Sequence, residues 1–169
     1  LYLFLIYSDS GLTDKVEDLL DRYPGVWTED PDDYHTYLYR GLVMQSLYRY
    51  AEADSAYGKA LGMMPTGVRA MFESLEAILS SKQGKEYERQ LAEDRPETDE
   101  RTEYENRFWR ARDPLYLSPA NERELEHYRR IAYADIRFGD RFADEKGDET
   151  DRGRIYVRYG RPRETAIIL

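Results

Sequence analysis

The chain contains no cysteine among its 169 residues, and it contains only two histidines. The absence of thiols excludes disulfide bonds, thiolate metal sites and a cysteine nucleophile, but it leaves both the cytoplasm and the periplasm open as compartments. With His35, His127 and no G-x-S-x-G motif, the chain has little material for a nucleophile and its base. We expect His127, which lies between Glu126 and Tyr128, to be a surface or ion-paired imidazole.

Long apolar runs are also missing. The opening run LYLFLIY is far shorter than the roughly 20 apolar residues that a membrane span requires, so it predicts no span. The chain begins at Leu1 without a methionine and ends in the apolar run AIIL, as a strand would look if it were cut midway. We therefore interpret the sequence as a fragment, and an upstream signal or anchor stays open. No glycine-rich loop follows a predicted strand, so no phosphate-binding loop is expected.

Lysine and arginine are outnumbered by acidic residues, 25 to 34, which gives a net charge of −9. Affinity for nucleic acid needs a clustered excess of basic side chains, so nucleic acid is not an expected partner. A hydrophobic content of 41 % is enough for a core. The length suits one medium domain or two small ones.

Apolar residues recur at helical spacing through the first half of the chain. This periodicity predicts helices over residues 13–23, 34–48, 51–63 and 68–79. Thr13 is the expected N-cap of the first helix, and Pro24 with Gly25 is its expected stop. The second and third helices are separated by a tight connection, which predicts an antiparallel pair.

The second and third predicted helices also carry a spaced set of small and aromatic residues. The set consists of Gly41, Ala53, Tyr57, Ala60 and Pro65. It resembles the tetratricopeptide repeat, in which small residues let two helices approach closely, an aromatic ring fills the gap and a proline ends the second helix. The resemblance implies a helical repeat region over residues 1–85 that presents a groove to another protein.

An earlier, degenerate repeat is indicated by Tyr23 and Pro31, which lie 34 residues before Tyr57 and Pro65. Arg40 stands where the repeat usually has leucine, and Met44 replaces a common tyrosine. The alternative is a set of packed helices in a bundle without repeat character.

Residues 86–105 form an acidic bridge with nine acidic residues and three arginines, a net charge of −6. The pattern predicts a solvated helix to Asp94, a break at Pro96 and a new helix from about Thr98. The bridge is interpreted as a wet helix face with internal ion pairs, and a docking surface for a basic partner is the alternative.

The second predicted helix of this half ends at Asp113, before Pro114. Ser118 is the expected N-cap of the next helix, which continues to a stop at Gly139. Its expected inner face consists of Leu125, Tyr128, Ala132 and Ile136.

The segment RGRIYVRYGRP alternates between apolar and polar residues, with Ile155 and Val157 separated by Tyr156. Alternation with a period of two predicts a half-buried strand over residues 154–158. The final run AIIL would begin a second strand and complete a hairpin. The expected fold class is therefore mainly α, with tetratricopeptide-like helical pairs, a helical segment and a short C-terminal β-strand or hairpin.

The order FWRARDP, ANE, YRRIAYADIRFG and TD-RGRIYVRYGRP resembles the GWxTD domain, a bacterial domain of unassigned activity found in envelope proteins. The resemblance covers about residues 86–169, and the chain stops where members of the family continue. The matching residues are Trp109, Asp113, Pro114, Asn121, Glu122, Tyr133, Ala134, Phe138, Thr150, Asp151, Gly153 and Gly160. The resemblance implies a periplasmic location in the bacterial envelope.

One departure from this family concerns its signature tryptophan, which is Asp148 in this chain. Any function that depends on that ring is in doubt here. We expect Thr150, Asp151 and Gly153 to shape the turn, with Thr150 or Asp151 as its cap.

The acidic residues around this turn suggest a calcium site, but their spacing does not match an EF-hand loop in any register. A solvated turn is the favoured interpretation, and no metal or cofactor is expected. The residues concerned are Asp140, Asp144, Glu145, Asp148, Glu149 and Asp151.

Sixteen tyrosines are a large number for this length. Tyrosine serves well in cores and at protein interfaces, so each ring either packs inward or joins a binding surface. The candidates for partner binding are Tyr34, Tyr37, Tyr39, Tyr48 and Tyr50.

Two functions follow as hypotheses. The first is a non-enzymatic interaction module, acting as a scaffold or accessory subunit of a membrane-associated assembly at the bacterial envelope. The alternative is a hydrolase or metal-dependent enzyme that uses the acidic turn at residues 140–151. A deep pocket lined by Asp113, Asp151 and an arginine would favour the enzyme.

Overall fold

The computed structural model describes residues 3, 7, 10–22, 33–92, 100–113, 119–139 and 146–162. These residues form eight regular helices and no strand, so the expectation of a mainly α fold is confirmed. The helices are α1 (Thr13–Arg22), α2 (Tyr34–Ser46), α3 (Tyr50–Met63), α4 (Thr66–Glu73), α5 (Ser81–Ala92), α6 (Glu100–Arg110), α7 (Glu122–Phe138) and α8 (Asp151–Tyr159).

Helices α2 and α3 form a hairpin that is joined by three residues. Asp33 caps α2 by accepting a hydrogen bond from the backbone N–H of His35 at 3.0 Å. At the other end, Tyr48 N–H donates to Gln45 C=O and Arg49 N–H donates to Met44 C=O. This pair of bonds is a Schellman motif. It places Tyr48 at a φ of 59°, in the left-handed region that favours glycine.

The hairpin packs closely around Tyr57. A Cβ atom at Gly41 would lie 2.6 Å from the Tyr57 ring, so only glycine leaves room for the ring. Ala53 and Ala60 on α3 are completely buried. The small residues therefore allow the two backbones to approach, which is the packing role assigned to them from their spacing.

Helix α7 packs on both helices of the hairpin. The Tyr57 hydroxyl lies 3.2 Å from the Gln45 side-chain amide, and that amide also contacts α7 at Leu125 and Glu126. The rings of Tyr57 and Tyr128 are 5.7 Å apart. Residues from both sides of the predicted boundary at 85/86 thus contribute to one core. The division into two sequence units stays a prediction.

The helix predicted over residues 68–79 is shorter than expected, because α4 ends at Glu73. Ser74 leaves the helical conformation, and its hydroxyl accepts a hydrogen bond from Glu76 N–H. The turn that follows buries Leu75 and Leu79 in a second apolar cluster with Tyr87, Phe108 and Trp109.

The predicted strand over residues 154–158 is wrong, because this segment lies within helix α8. The buried residues of α8 and its C-cap are Gly153, Tyr156, Val157 and Gly160. They recur at intervals of three and one, which is the helical pattern. Alternation over five residues was too short to outweigh it. The second predicted strand, over residues 166–169, lies outside the described residues.

The N-cap of α7 also differs from the prediction. Asn121 accepts hydrogen bonds from the backbone N–H groups of Arg123 and Glu124, whereas Ser118 lies outside the described residues. An asparagine side chain reaches these amides as well as serine does. The predicted stop at Gly139 is confirmed as the C-cap.

Candidate interaction surface

The segment from Gly147 to Gly160 attaches α8 to α7. A Cβ atom at Gly147 would overlap the backbone of Ala134 and Asp135 on α7. The Thr150 hydroxyl donates a hydrogen bond to Gly147 C=O at 2.7 Å. The Thr150 hydroxyl oxygen also accepts a hydrogen bond from Gly153 N–H at 3.0 Å. A Cβ atom at Gly153 would in turn overlap the Gly147 carbonyl. The two glycines and the threonine therefore form one interlocked turn.

The inner face of α8 is held by an aromatic stack and by one arginine. Tyr156 lies parallel to Tyr133 at 4.6 Å between ring centroids, and Val157 is buried. Arg130 on α7 donates hydrogen bonds to the carbonyls of Val157 and Arg158. A cation at these carbonyls stabilises the end of a helix.

The outer face of α8 exposes two large apolar side chains one turn apart. Ile155 is 62 % exposed and Tyr159 is 72 % exposed. Arg152 and Arg154 flank them and are also exposed. Neither arginine forms an ion pair with any residue of the described ranges. We call Arg152, Arg154, Ile155 and Tyr159 the α8 outer face.

The five candidate tyrosines do not form one surface. Tyr34, Tyr37, Tyr39 and Tyr50 are half-buried and pack against the core. Tyr48 is different, because it is 75 % exposed and meets Tyr50 edge-on at 6.4 Å. Of this group, Tyr48 presents the largest accessible ring.

An acidic cleft of about 480 Å³ lies between α2, α4 and the end of α7. Its charged lining consists of Asp33, His35, Asp135, Lys146 and Asp148. Burial raises the pKa of Asp148, and the nearby carboxylate of Asp135 adds to this shift. Asp148 thus lines a cleft together with a second carboxylate, Asp135.

Asp33 in this cleft behaves differently from Asp148. Burial alone would raise the pKa of Asp33, but hydrogen bonds from the backbone and ring of His35 outweigh burial and lower it. The ring nitrogen Nδ1 of His35 lies 2.7 Å from Asp33 Oδ1. No three potential metal ligands of the described ranges come together in a way that could hold a metal ion.

The carboxylates that the enzyme hypothesis pairs are at different places. Asp151 is exposed in the first turn of α8, and Asp113 is half-buried just after α6. Neither lines the acidic cleft. Residues 140–145 of the acidic turn lie outside the described residues.

Three other residues of the predicted motifs lie at or next to the start of a helix. Pro65 precedes the first residue of α4, and Glu122 begins α7. Asn121 has a second role that its sequence position did not indicate, because its side-chain amide donates to Trp109 C=O at 2.7 Å. This bond ties the start of α7 to the end of α6. Pro114 lies outside the described residues.

His127 was predicted to be at the surface or ion-paired, and this is wrong. Its side chain is only 4 % exposed and lies under Trp109, with 5.3 Å between ring centroids. It lies between Glu126 and Tyr128 on an amphipathic helix, and only the helical phase that it shares with the buried Ile131 and Ala134, four and seven positions later, could have indicated burial.

The chain matches no family model, no curated protein and no solved structure. Among the described helices, none has the length and apolar character needed to cross a lipid bilayer.

Proposed function

We propose that this protein is a non-enzymatic interaction module, a scaffold or accessory subunit of a larger assembly. The observation that carries the proposal is the α8 outer face. Ile155 and Tyr159 stand on one side of a short helix with arginines on either side. Tyrosine and arginine are the side chains most often found at the energetic centre of protein interfaces.

The rigidity of α8 supports this function. Thr150 fixes the first turn of the helix, the Tyr156 stack fixes its middle and Arg130 fixes its end. A surface that is already ordered loses less conformational entropy when a partner binds. The α8 outer face is therefore a preorganised surface.

Tyr48, in the turn between α2 and α3, supports the same function. A bulky side chain at a left-handed position is unfavourable, yet this one is almost fully in solvent. Backbone strain of this kind clusters at functional positions. We include Tyr48 as a second contact point for a partner.

The finer description rests on the two sequence resemblances. Within the proposal, residues 1–85 act as a tetratricopeptide-like helical region and residues 86–169 as a GWxTD-like domain. The bacterial envelope is the proposed location, and other subunits of a membrane-associated complex are the proposed partners.

Site-specific photo-crosslinking tests the proposal. A photo-reactive phenylalanine analogue at Ile155 in the full-length protein should give a discrete crosslinked product in native membranes, identified by mass spectrometry. The same analogue at Met63, which is also exposed, is the matched control. The product should disappear when Tyr159→Ala is added. Equal products from both positions would show that the α8 outer face has no specific partner.

A further inference from the structure

A groove lies beside the α8 outer face, between the end of α6, α7 and α8, with a volume of about 340 Å³. Its apolar lining includes Phe108 and Trp109 from α6 and Ile78 from the turn between α4 and α5. Tyr159 of α8 also lines the groove. The arginines of the groove come from separate segments of the chain. We call Phe108, Trp109, Arg112, Arg123, Arg158 and Tyr159 the basic groove.

The charge of this groove is unbalanced. Arg112, Arg123 and Arg158 are exposed, and none of them forms an ion pair with a carboxylate of the described ranges. The one carboxylate in the lining, Glu126, is already bonded to Arg129 and Arg130 at 2.7 Å and 2.8 Å.

This imbalance contrasts with the rest of the molecule. The chain has nine more acidic than basic residues. Carboxylates are thus plentiful, and several exposed arginines form ion pairs with them, such as Arg49 with Glu52 and Arg69 with Glu73. Three guanidinium groups line one groove and form no ion pair within the described ranges, so they offer a site for negative charge from outside.

Two of the three guanidinium groups are held in place by the protein. Arg112 stacks on the Phe108 ring at 3.6 Å and donates to the Phe108 carbonyl. Arg158 donates to the carbonyl of Leu79 at 3.2 Å. These contacts use a carbonyl or a ring and leave other N–H donors of each fork available, because arginine has five. The groove thus presents oriented donors.

We propose that the basic groove binds an acidic peptide segment of a partner protein, with carboxylates on Arg112, Arg123 and Arg158 and an apolar side chain against Trp109 and Tyr159. This inference rests on the proposed function, because Tyr159 belongs both to the groove and to the α8 outer face. It names the chemistry of the partner.

An acidic peptide fits better than other anions. The net charge of −9 repels extended polyanions and anionic membrane surfaces at long range. A short segment brings its few carboxylates to the arginines and leaves the acidic remainder of the surface uncovered. The apolar lining also needs an occupant with side chains, which a small inorganic anion lacks.

Fluorescence anisotropy with the full chain tests the inference. The probe is a fluorescein-labelled peptide that repeats the unit Glu-Glu-Phe. The control peptide has the same sequence with lysine in place of glutamate. We expect binding of the glutamate peptide alone, and we expect weaker binding when the ionic strength rises from about 0.05 M to about 0.3 M.

Arg123→Glu is the decisive variant, because the Arg123 side chain is exposed and makes no hydrogen bond or ion pair within the described ranges, while its backbone N–H can still donate to Asn121. Reversing its charge should lower the affinity for the glutamate peptide about 10-fold or more, since like charges then face each other in the groove. The matched control is Arg40→Glu, which reverses an exposed arginine of α2 outside the groove. It should change affinity less than about 2-fold by screened long-range charge alone.

Several results would overturn the inference. They are equal binding of the lysine peptide, equal loss in the two variants, or no loss in Arg123→Glu. Arg123-dependent binding of inorganic phosphate or of phosphatidylserine vesicles, without binding of the peptide, would assign the groove to a small anion or a lipid instead. Arg123-dependent dimerisation in sedimentation would assign it to the acidic bridge of a second copy.

The test is separable from that of the proposed function. If the peptide fails to bind while the crosslink at Ile155 persists and depends on Tyr159, the interaction module stands and only the acidic partner is lost. If the peptide binds and the crosslink is absent, the groove stands without the α8 outer face.

Discussion

Protonation of His127 opposes folding, because its imidazole is buried. Both of its ring nitrogens are buried, and neither makes a hydrogen bond of good geometry within the described residues. Burial lowers the pKa of His127 to about 4, the charge of Arg130 acts in the same direction, and the carbonyls of Phe72 and Ser74 oppose the shift. The imidazole is therefore neutral in the folded protein at neutral pH.

We expect the free energy of unfolding to carry a pH dependence that His127→Phe removes. Between the unfolded pKa near 6.5 and the folded pKa of about 4, only the unfolded state takes up the proton. Stability from this group is therefore complete above pH 6.5 and falls by about 3 kcal/mol as the pH falls to the folded value.

Urea unfolding of the wild-type protein and of the His127→Phe variant, from neutral to mildly acidic pH, measures this pH dependence. Burial also raises the pKa of Glu124, which acts in the opposite direction on acidification, but it is shared by both proteins. The difference between the two curves thus isolates His127. A difference that is constant with pH would contradict the prediction.

Gly41 is the second residue with a sharp expectation. Gly41→Ala places a methyl group against the Tyr57 ring, and overpacking of this kind costs about 1–3 kcal/mol. Gly58→Ala is the matched control, since it lies in α3 with open space around it and should gain about 0.5–1 kcal/mol of helix stability. Thermal unfolding of the two variants should shift in opposite directions, and a shift in the same direction would contradict the packing argument.

At the scale of elements, the hairpin turn between α2 and α3 should show a conflict between stability and binding. Tyr48→Gly removes the left-handed strain and should stabilise the protein by about 1 kcal/mol. It should also weaken partner capture, because the exposed ring is gone. Tyr48→Ala keeps the strain and should lose capture without the gain in melting temperature. Unchanged capture in both variants would remove Tyr48 from the proposed surface.

The start of α8 depends on its cap. Thr150→Ala removes the oxygen that accepts from Gly153 N–H, and the loss of such a cap costs about 1 kcal/mol. We expect faster amide exchange over Asp151–Tyr159 than in the wild-type protein, measured by mass spectrometry. Thr150→Ser keeps the oxygen and should restore slow exchange. Fast exchange in the serine variant as well would show that the methyl group, and not the cap, holds the turn.

The elements that the sequence predicted well are those with long periodicity and local caps. α1, α2, α3 and α7 begin and end within a few residues of the predicted positions, because helical spacing and stop residues act locally. α8 was misread because Ile155 and Val157 alternate, although the helical set begins earlier at Gly153. α4 ends before Ser74, and the turn that follows buries Leu75 against Phe108 and Trp109, which lie far along the chain. No local pattern shows such a contact.

The candidate surfaces were less predictable for a physical reason. The exposure of Ile155 depends on which face of α8 meets α7, and this is fixed by the backbone contact at Gly147. The basic groove depends on Arg112, Arg123 and Arg158 forming no ion pair with a carboxylate of the part of the chain that the structure describes. Such an absence belongs to the whole structure. Only the aromatic Trp109 and the importance of Thr150 and Gly153 were visible beforehand.

At the scale of the whole molecule, α7 connects the α2–α3 hairpin with α8. It contacts the α2–α3 hairpin through Tyr128 and Gln45, and it carries α8 through Arg130. We expect one cooperative unfolding transition, because a shared core unfolds as a unit. Circular dichroism and amide exchange in α2 and α8 should give the same midpoint. Separate midpoints would show that the two sequence units are independent.

The interlocked turn at Gly147, Thr150 and Gly153 also bears on how far this sequence can diverge. Backbone atoms occupy the space of any side chain at either glycine, so mutation there is restricted by geometry and not by chemistry. A distant homologue is therefore best sought through two glycines six positions apart with a hydroxyl residue midway, even where the rest of the alignment has faded.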